Sequence, residues 1–231
     1  MKKVAWVLAG TLILTACGGE TLKPKLKEEN DQAAYALGFR FGQQMATSVN
    51  DIDLDTFLVG LRDGAQGDDA KSRIDEDQLD DIIQTFQTRK MEEAREEQKQ
   101  LGDANLSQGF EFREQNGAKE GVVTTDSGLQ YEVLVAGDSG TRPGPESTVI
   151  AHYHGTLIDG TVFDSSVERG EPATFPLDAV IAGWQEALQL MQVGDKWRIV
   201  LPPDLAYGDQ GVRAIGPNST LIFEVELLEV Q

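Results

Sequence analysis

Cysteine and histidine are almost absent, with one Cys and two His in 231 residues. A single cysteine closes no intramolecular disulfide. So small a stock of soft ligands leaves carboxylates to complete any metal set, and neither a metal nor a cofactor is expected. Cations are scarce too: 20 Lys+Arg stand against 39 Asp+Glu, a formal net charge of −19. Such a surface repels phosphate backbones and anionic headgroups, which excludes DNA or RNA as the main partner. The plain consequence of the acidity is solubility. No stretch reaches the roughly 20 apolar residues that a spanning helix needs. What remains is ordinary for a globular chain, 40% apolar with 24 glycines, and the length allows one large domain or two smaller ones.

The lone cysteine stands at an informative place. Lys2-Lys3 is a positive n-region, Val4 to Leu14 is apolar, and Leu14-Thr15-Ala16-Cys17 closes the run. That pattern is a secretory signal over 1–16. Two processing routes fit. Leu-Thr-Ala-Cys resembles a bacterial lipoprotein signal, in which cleavage before Cys17 exposes it for lipidation; an ordinary signal-peptidase cut would leave Cys17 unmodified or remove it. The position of the only cysteine favours the lipid anchor, which would be the one attachment to a membrane, in a periplasmic and outer-membrane setting. A soluble periplasmic form is the alternative. Residues 17–29 are polar, include Pro24 and read as a tether.

Asn30 or Asp31 is placed to cap a helix through QAAYALGFRFGQQMATS, with Ala34, Leu37, Phe41 and Met45 on one stripe. Gly38 and Gly42, four apart, would let two helix backbones approach closely; an ordinary intramolecular core also fits. Asp53 or Asp55 caps a second helix carrying Phe57, Leu58 and Leu61, and Asp75 a third with Leu79, Ile82, Ile83 and Phe86 on its buried side. After Phe86 both charge signs interleave and helix propensity stays high, so one helix is expected from about Glu76 to Asn116, bendable at Gly102 and Gly109. Polar all round, it reads as a solvent-exposed stalk of about 60 Å. The helices of 30–75 carry too little apolar surface for a secure core of their own, so a homodimer through residues 30–90 is expected.

From Gly121 the period changes to two. Val122-Val123, Leu129-Tyr131-Val133-Val135, Val149-Ala151-Tyr153 and Trp197-Ile199-Leu201 read as strands, and Leu221, Phe223, Val225 and Leu227 alternate against Glu224 and Glu226. One helical pattern, Leu177 to Met191, puts Val180, Trp184, Leu188 and Met191 on one face. The class is therefore α+β, an antiparallel sheet over one short helix. Ala151 to Ser166 reads as a hairpin turned by Asp159-Gly160, a dipeptide that takes positive φ at both positions. It gathers Tyr153, Leu157, Phe163 and Asp164, to which Val180-Ile181-Ala182-Gly183-Trp184 and Ala206-Tyr207-Gly208 are expected to add. One acid and one phenol among aromatics equip a site poorly for hydrolysis or phosphate transfer. They suit a reaction that needs shape, dryness and one or two hydrogen bonds.

The blocks HYHGTLIDGTVFDSS, FPLDAVIAGWQEAL, VGDKWRIVLPPDLAYG and STLIFEVELL, in this order, resemble the FKBP-type peptidyl-prolyl cis-trans isomerases over roughly Val122 to Gln231. YALGFRFGQQM, DLDTFLVGL and the long charged helix resemble the dimerisation domain of the family's FkpA- and Mip-like bacterial subgroup. The resemblance implies an isomerase of X–Pro bonds over 117–231 that acts on unfolded or newly exported proteins, with two heads on long stalks and chaperone action besides. It implies that Tyr153, Phe163, Val180, Ile181, Trp184 and Phe223 form the pocket wall, with Trp184 as floor. It further implies that Tyr207 and the Ile181 N–H donate to substrate carbonyls, and that Asp164 lies near the twisting amide, held by Arg169. The sequence departs from the family at Ala173, where an aromatic is usual, and at Gly216, where an Ile-Pro-Pro run would be expected; Ala214 and Ile215 still offer apolar contact. Tight macrolide binding is therefore not implied.

Two motifs are decoys. Gly137-Asp138-Ser139-Gly140 looks like a protease nucleophile motif, but no histidine precedes it, and it reads as a turn. His152 and His154 share a strand face with no third soft ligand at hand. The rival functions are a non-enzymatic binding clamp for non-native chains and a surface-exposed virulence-type factor.

Overall fold

The computed structural model describes residues 26–45, 52–67 and 72–231; the signal segment, Cys17 and most of the tether lie outside them. The chain divides into two compact units, one up to Glu76 and one from Asp77 to Gln231.

In the first unit, α1 (Glu29–Met45) and α2 (Leu54–Gly64) meet through the stacked rings of Phe41 and Phe57, 6.2 Å apart. Asp53 caps α2 by accepting the Thr56 N–H at 2.8 Å. At α1 the expected caps fall elsewhere, because Glu29 begins the helix and Asn30 and Asp31 lie inside its first turn, where acids favour the positive end of the dipole. The apolar stripe stays open: Leu37 is 74% exposed, and Tyr35, Phe39, Phe41, Leu58 and Leu61 are exposed too. A Cβ at Gly38 or Gly42 would meet nothing within 4 Å. No described helix is long and apolar enough to cross a membrane.

The second unit opens one residue into α3 (Glu76–Gly117), a helix of 42 residues without a break. An antiparallel sheet follows, built from β1 (Val122–Thr124), β2 (Gln130–Val135), β3 (Thr148–Leu157), β4 (Val162–Ser165), β5 (Ala173–Pro176), β6 (Lys196–Leu201) and β7 (Leu221–Val230). The order is β1-β2-β6-β7-β3-β4, and β5 shares with β4 the far edge of β3. Strict alternation decides which face is core. Val149, Ala151 and Tyr153 of β3, Trp197, Ile199 and Leu201 of β6, and Leu221, Phe223, Val225 and Leu227 of β7 point to one buried side. Helix α5 (Ala182–Leu190) covers that side with Trp184, Ala187 and Leu188. Gly137-Asp138-Ser139-Gly140 lies in a loop whose Gly137 N–H donates to the buried Asp195 carboxylate at 2.7 Å.

Three local expectations are corrected. The Leu177–Met191 pattern is not one helix: a 3-10 turn spans Leu177–Ala179, Val180 and Ile181 are extended, and only Ala182–Leu190 is α-helical. Pro176 starts the turn, and Ile181, with ψ 150°, cannot continue a helix. At Asp159-Gly160 only Gly160 takes positive φ, +87°; Asp159 instead accepts the Thr161 N–H at 2.9 Å, and the connection from β3 to β4 is longer than two residues. Finally, α3 is not solvent-exposed all round. Gly102, Gly109 and Asn116 recur every seven residues on one face and are buried, Gly102 against Pro217 and Asn218, Gly109 against Thr220 and Asn116 against Gln130. Asn116 donates to Gln130 Oε1 at 2.9 Å, Gln130 donates back to the Arg113 carbonyl at 2.8 Å, and Arg113 donates to Thr220 Oγ1.

Glycine at 109 is required by close approach, since an added Cβ would fall on Thr220 Oγ1 and 3.2 Å from the Thr220 Cβ. On an open helix Gly→Ala stabilises by about 1 kcal/mol. Here so close a contact puts the overpacking toward the upper end of about 1–3 kcal/mol, which outweighs that gain. Gly109→Ala should therefore lower the thermal midpoint of the second unit by roughly 2–8 °C in calorimetry; an unchanged or raised midpoint would mean that α3 does not dock there.

Candidate active site

The concave side of the sheet carries a hollow of about 640 Å³. Its floor is Trp184, 4% exposed, which enters from the first turn of α5. Three strands bring aromatic rings to it edge-on: Tyr153 of β3 at 5.3 Å and 85°, Phe175 of β5 at 5.6 Å and 80°, and Phe223 of β7 at 5.3 Å and 77°. Phe163 of β4 closes the far side at 5.4 Å and 88° to Phe223. Edge-to-face rings pair the positive edge of one with the negative face of the next, worth about 0.5–1.5 kcal/mol per pair beyond area burial. Among the described residues the buried Trp184 indole N–H has no hydrogen-bond partner, so packing alone holds the ring. Gly155 makes the wall possible, because a Cβ there would lie 2.7 Å from Phe163 Cζ and 2.9 Å from Phe223 Cε1.

The opposite rim is built by backbone that leaves regular structure. Val180 and Ile181 occupy the extended step before α5, and the Val180 carbonyl is held by Gln185 Nε2 at 2.8 Å. The Ile181 N–H precedes the helix and finds no partner among the described residues. Tyr207, 40% exposed, and a loop carrying Val212, Arg213, Ala214 and Ile215 complete the lining.

One polar device sits at the edge. The Tyr153 hydroxyl donates to Asp164 Oδ2 at 2.6 Å, Arg169 donates to the same hydroxyl at 2.8 Å, and a second Arg169 nitrogen pairs with Asp164 Oδ1. Arg169 also lies over the Tyr153 ring, 5.5 Å from its centroid. Asp164 is placed by its pairing with Gly155, and Arg169 by α4 (Ser166–Arg169), which Ser165 caps and Gly170 ends at φ +80°. Burial acts to raise the Asp164 carboxyl, but the donors Tyr153, Arg169 and the Ser165 amide outweigh it and hold the carboxyl below its ordinary value. Burial, then the hydrogen bond to Asp164, pushes the Tyr153 phenol up, and the two acceptors raise the Arg169 guanidinium further. The acid is ionised and its charge locally cancelled.

The hollow thus gathers Tyr153, Phe163, Asp164, Val180, Ile181, Trp184, Tyr207, Ile215 and Phe223; Arg169 stays outside its lining and touches it through Asp164 and Tyr153. Sequence reasoning passed over Phe175, Ala179, Val212 and Arg213, although the alternation of β5 could have pointed Phe175 inward. His152 and His154 face away, each within hydrogen-bond distance of a serine, Ser166 at 3.1 Å and Ser165 at 3.0 Å.

The arrangement is an aromatic-walled hollow in which, among the described residues, no nucleophile is set beside a general base. Residues 140–228 match the family of FKBP-type peptidyl-prolyl cis-trans isomerases, and residues 30–133 match the domain amino terminal to that isomerase. The outer membrane protein MIP of Legionella longbeachae is 40% identical over 232 residues, covering 100% of this chain and 98% of that protein. The FKBP-type 22 kDa peptidyl-prolyl cis-trans isomerase of Escherichia coli is 43% identical over 201 residues, 86% of this chain and 94% of that protein. The crystal structure of FkpA from Escherichia coli superposes with a TM-score of 0.69 at 39% identity, covering 89% of this chain and 98% of that one. The chain belongs to the FKBP-type peptidyl-prolyl cis-trans isomerases. It is an enzyme that accelerates cis–trans isomerisation of X–Pro bonds.

A lowered carboxyl and a raised phenol leave no group of the Tyr153–Asp164–Arg169 device titrating near neutrality. We expect kcat/KM to be flat from about pH 6 to 9. Because the folded carboxyl lies below its unfolded value, its contribution to stability is complete above the ordinary carboxylate range and is lost as pH falls through the folded value. Asp164→Asn should therefore be less stable than wild type near neutral pH and converge with it in acid unfolding followed by circular dichroism. A gap that widens in acid would contradict this.

Proposed function

We propose that the aromatic hollow is where the prolyl bond turns, and that it works by preferring a twisted amide to a flat one. The observation that carries this reading is the ring cluster around Trp184 beside a charge-neutralised Tyr153–Asp164–Arg169 device. Planar X–Pro amides are stabilised by resonance that places partial charge on oxygen and nitrogen, and rotation meets a barrier near 20 kcal/mol. At a right angle that resonance is lost and charge separation falls. Apolar walls therefore disfavour the planar state more than the twisted one, which is the differential that catalysis requires. In this reading the proline ring rests on Trp184, between Phe163, Phe223 and Tyr153. Val180 and Ile215 bound the ring on the open side. Tyr207 and the Ile181 N–H donate to carbonyls flanking the bond and restrain the backbone while it rotates. Asp164, fixed by Tyr153 and Arg169, lies near the turning amide.

Substrates in this reading are unfolded or newly exported proteins, because the signal pattern over 1–16 and the relative named as an outer membrane protein both point to the cell envelope. Cys17 is the proposed lipid anchor. We assign residues 30–75 to dimerisation, 76–116 to a stalk and 117–231 to the isomerase head. The apolar side chains left open on α1 and α2, with glycines at 38 and 42 that touch nothing, fit a homodimer through residues 30–90. The cleft between two such copies would give chaperone action in addition to isomerisation.

The decisive experiment is a protease-coupled assay on an Ala-Xaa-Pro-Phe peptide with residues 18–231. Trp184→Leu should reduce kcat/KM by tenfold or more, the equivalent of about 1.4 kcal/mol in the transition state, and Tyr207→Phe together with Asp164→Ala should reduce it further. Full activity in Trp184→Leu would remove the hollow from the reaction. For the dimer, Gly38→Leu with Gly42→Leu should yield monomers in light scattering while activity on the short peptide persists; an unaltered dimer mass would move the interface elsewhere.

A further inference from the structure

The rim loop that carries Val212, Arg213, Ala214 and Ile215 reaches the core through Ile215 alone, while Val212, Arg213 and Ala214 stand exposed. Its tip is a tight turn in which Val212 and Ile215 exchange backbone hydrogen bonds of 2.8 Å, and Arg213 takes φ +48°. Its base is closed by the Asn218 N–H donating to the Gly208 carbonyl at 2.8 Å. Beyond that base the loop rests on α3. Asn105 donates to the Pro217 carbonyl at 2.8 Å, Asn218 donates to the Gly102 carbonyl at 3.4 Å, and Ser219 ties back to the Gly216 carbonyl at 2.9 Å. The backbone contact is close: a Cβ at Gly216 would lie 3.2 Å from Asn105 Nδ2 and 3.3 Å from Leu101 Cδ2, and one at Gly102 would lie 3.2 Å from Asn218 Nδ2.

We infer that Asn105 is a positioning residue for the isomerase reaction: from the middle of α3 it fixes the carbonyl at the end of the rim loop, and so sets where Val212 to Ile215 stand over the substrate. This rests on the reading that the aromatic hollow is the substrate site. Asn105 touches no lining residue. Its side chain is half-buried, and its amide is the donor that the Pro217 carbonyl, two residues beyond Ile215, receives from α3. Pro217 itself has no N–H, so that carbonyl is the residue's only backbone handle. A loop released at this point keeps its sequence and its tip turn but samples more positions, and the entropy of ordering it is then drawn from substrate binding. The penalty falls on binding rather than on the barrier, since the Trp184 wall is untouched.

The test uses the full chain and steady-state kinetics on the same peptide. Asn105→Ala removes the donor at a half-buried helix position where alanine favours the helix, and Asn105→Asp keeps the shape but offers only acceptors. Gly102→Ala pushes on the same junction from the helix side. We expect each to raise KM about three- to tenfold, the range a hydrogen bond of ordinary net strength covers, with kcat unchanged. Amides of 208–216 should exchange hydrogen faster, while those of β3 and β7 should not. Wild-type KM in both Asn105 variants overturns the inference, as does a loss of kcat accompanied by faster exchange throughout the sheet, which would mark a general structural effect. Trp184→Leu, assayed alongside, separates the two readings: if it is impaired while the Asn105 variants are normal, positioning alone fails; if it is fully active, the hollow itself is not the site.

Discussion

Edge-to-face packing around Trp184 is the constraint from which the rest of the catalytic unit follows. Tyr153, Phe175 and Phe223 reach the indole from three strands, so β3, β5 and β7 must hold their register for the rings to meet. Strand β3 is the hub, since it pairs with β7 along one edge and with both β4 and β5 along the other. A slip of one residue in any of these pairings would turn an aromatic ring to the outer face. Gly155 near the end of β3 gives up a side chain so that Phe163 and Phe223 can occupy the space above it.

Such a wall is built on paired strands, and the one carboxylate in it is itself paired. Its one acid is ionised, yet it is bound to a phenol and a guanidinium that are themselves fixed by β3 and α4. An ionised group that keeps its proton count across the working pH range contributes a constant field, which suits a reaction that moves no proton. The opposite side of the hollow is made differently. There the lining comes from the extended Val180–Ile181 step, from Tyr207 and from the rim loop, all outside strand pairing. A strand-borne wall thus faces a rim made of extended and loop backbone.

How much of this was legible in the sequence depended on the range of the force involved. Alternation located the strands, and Leu221, Phe223, Val225 and Leu227 all lie buried as their spacing required. Sustained helix propensity without proline located α3. What escaped was set by contact at a distance. Gly102, Gly109 and Asn116 look like weak points of a helix; folded, they are the face that lies against Asn218, Thr220 and Gln130. Val180 looked helical because apolar residues three and four apart follow it, but the chain stays extended there and gives the hollow its rim.

The sequence by itself determined the α+β class, the family, and the roster of aromatic residues, because period, turn chemistry and residue type are local properties written one position at a time. Only the tertiary structure decided that Phe175 joins the hollow, that Arg169 bonds Tyr153 as well as Asp164, and that α3 grips the end of the rim loop. Each of these joins residues far apart along the chain or on separate elements, and such pairings arise only when the strand register and the helix docking bring backbone to within a hydrogen bond's length.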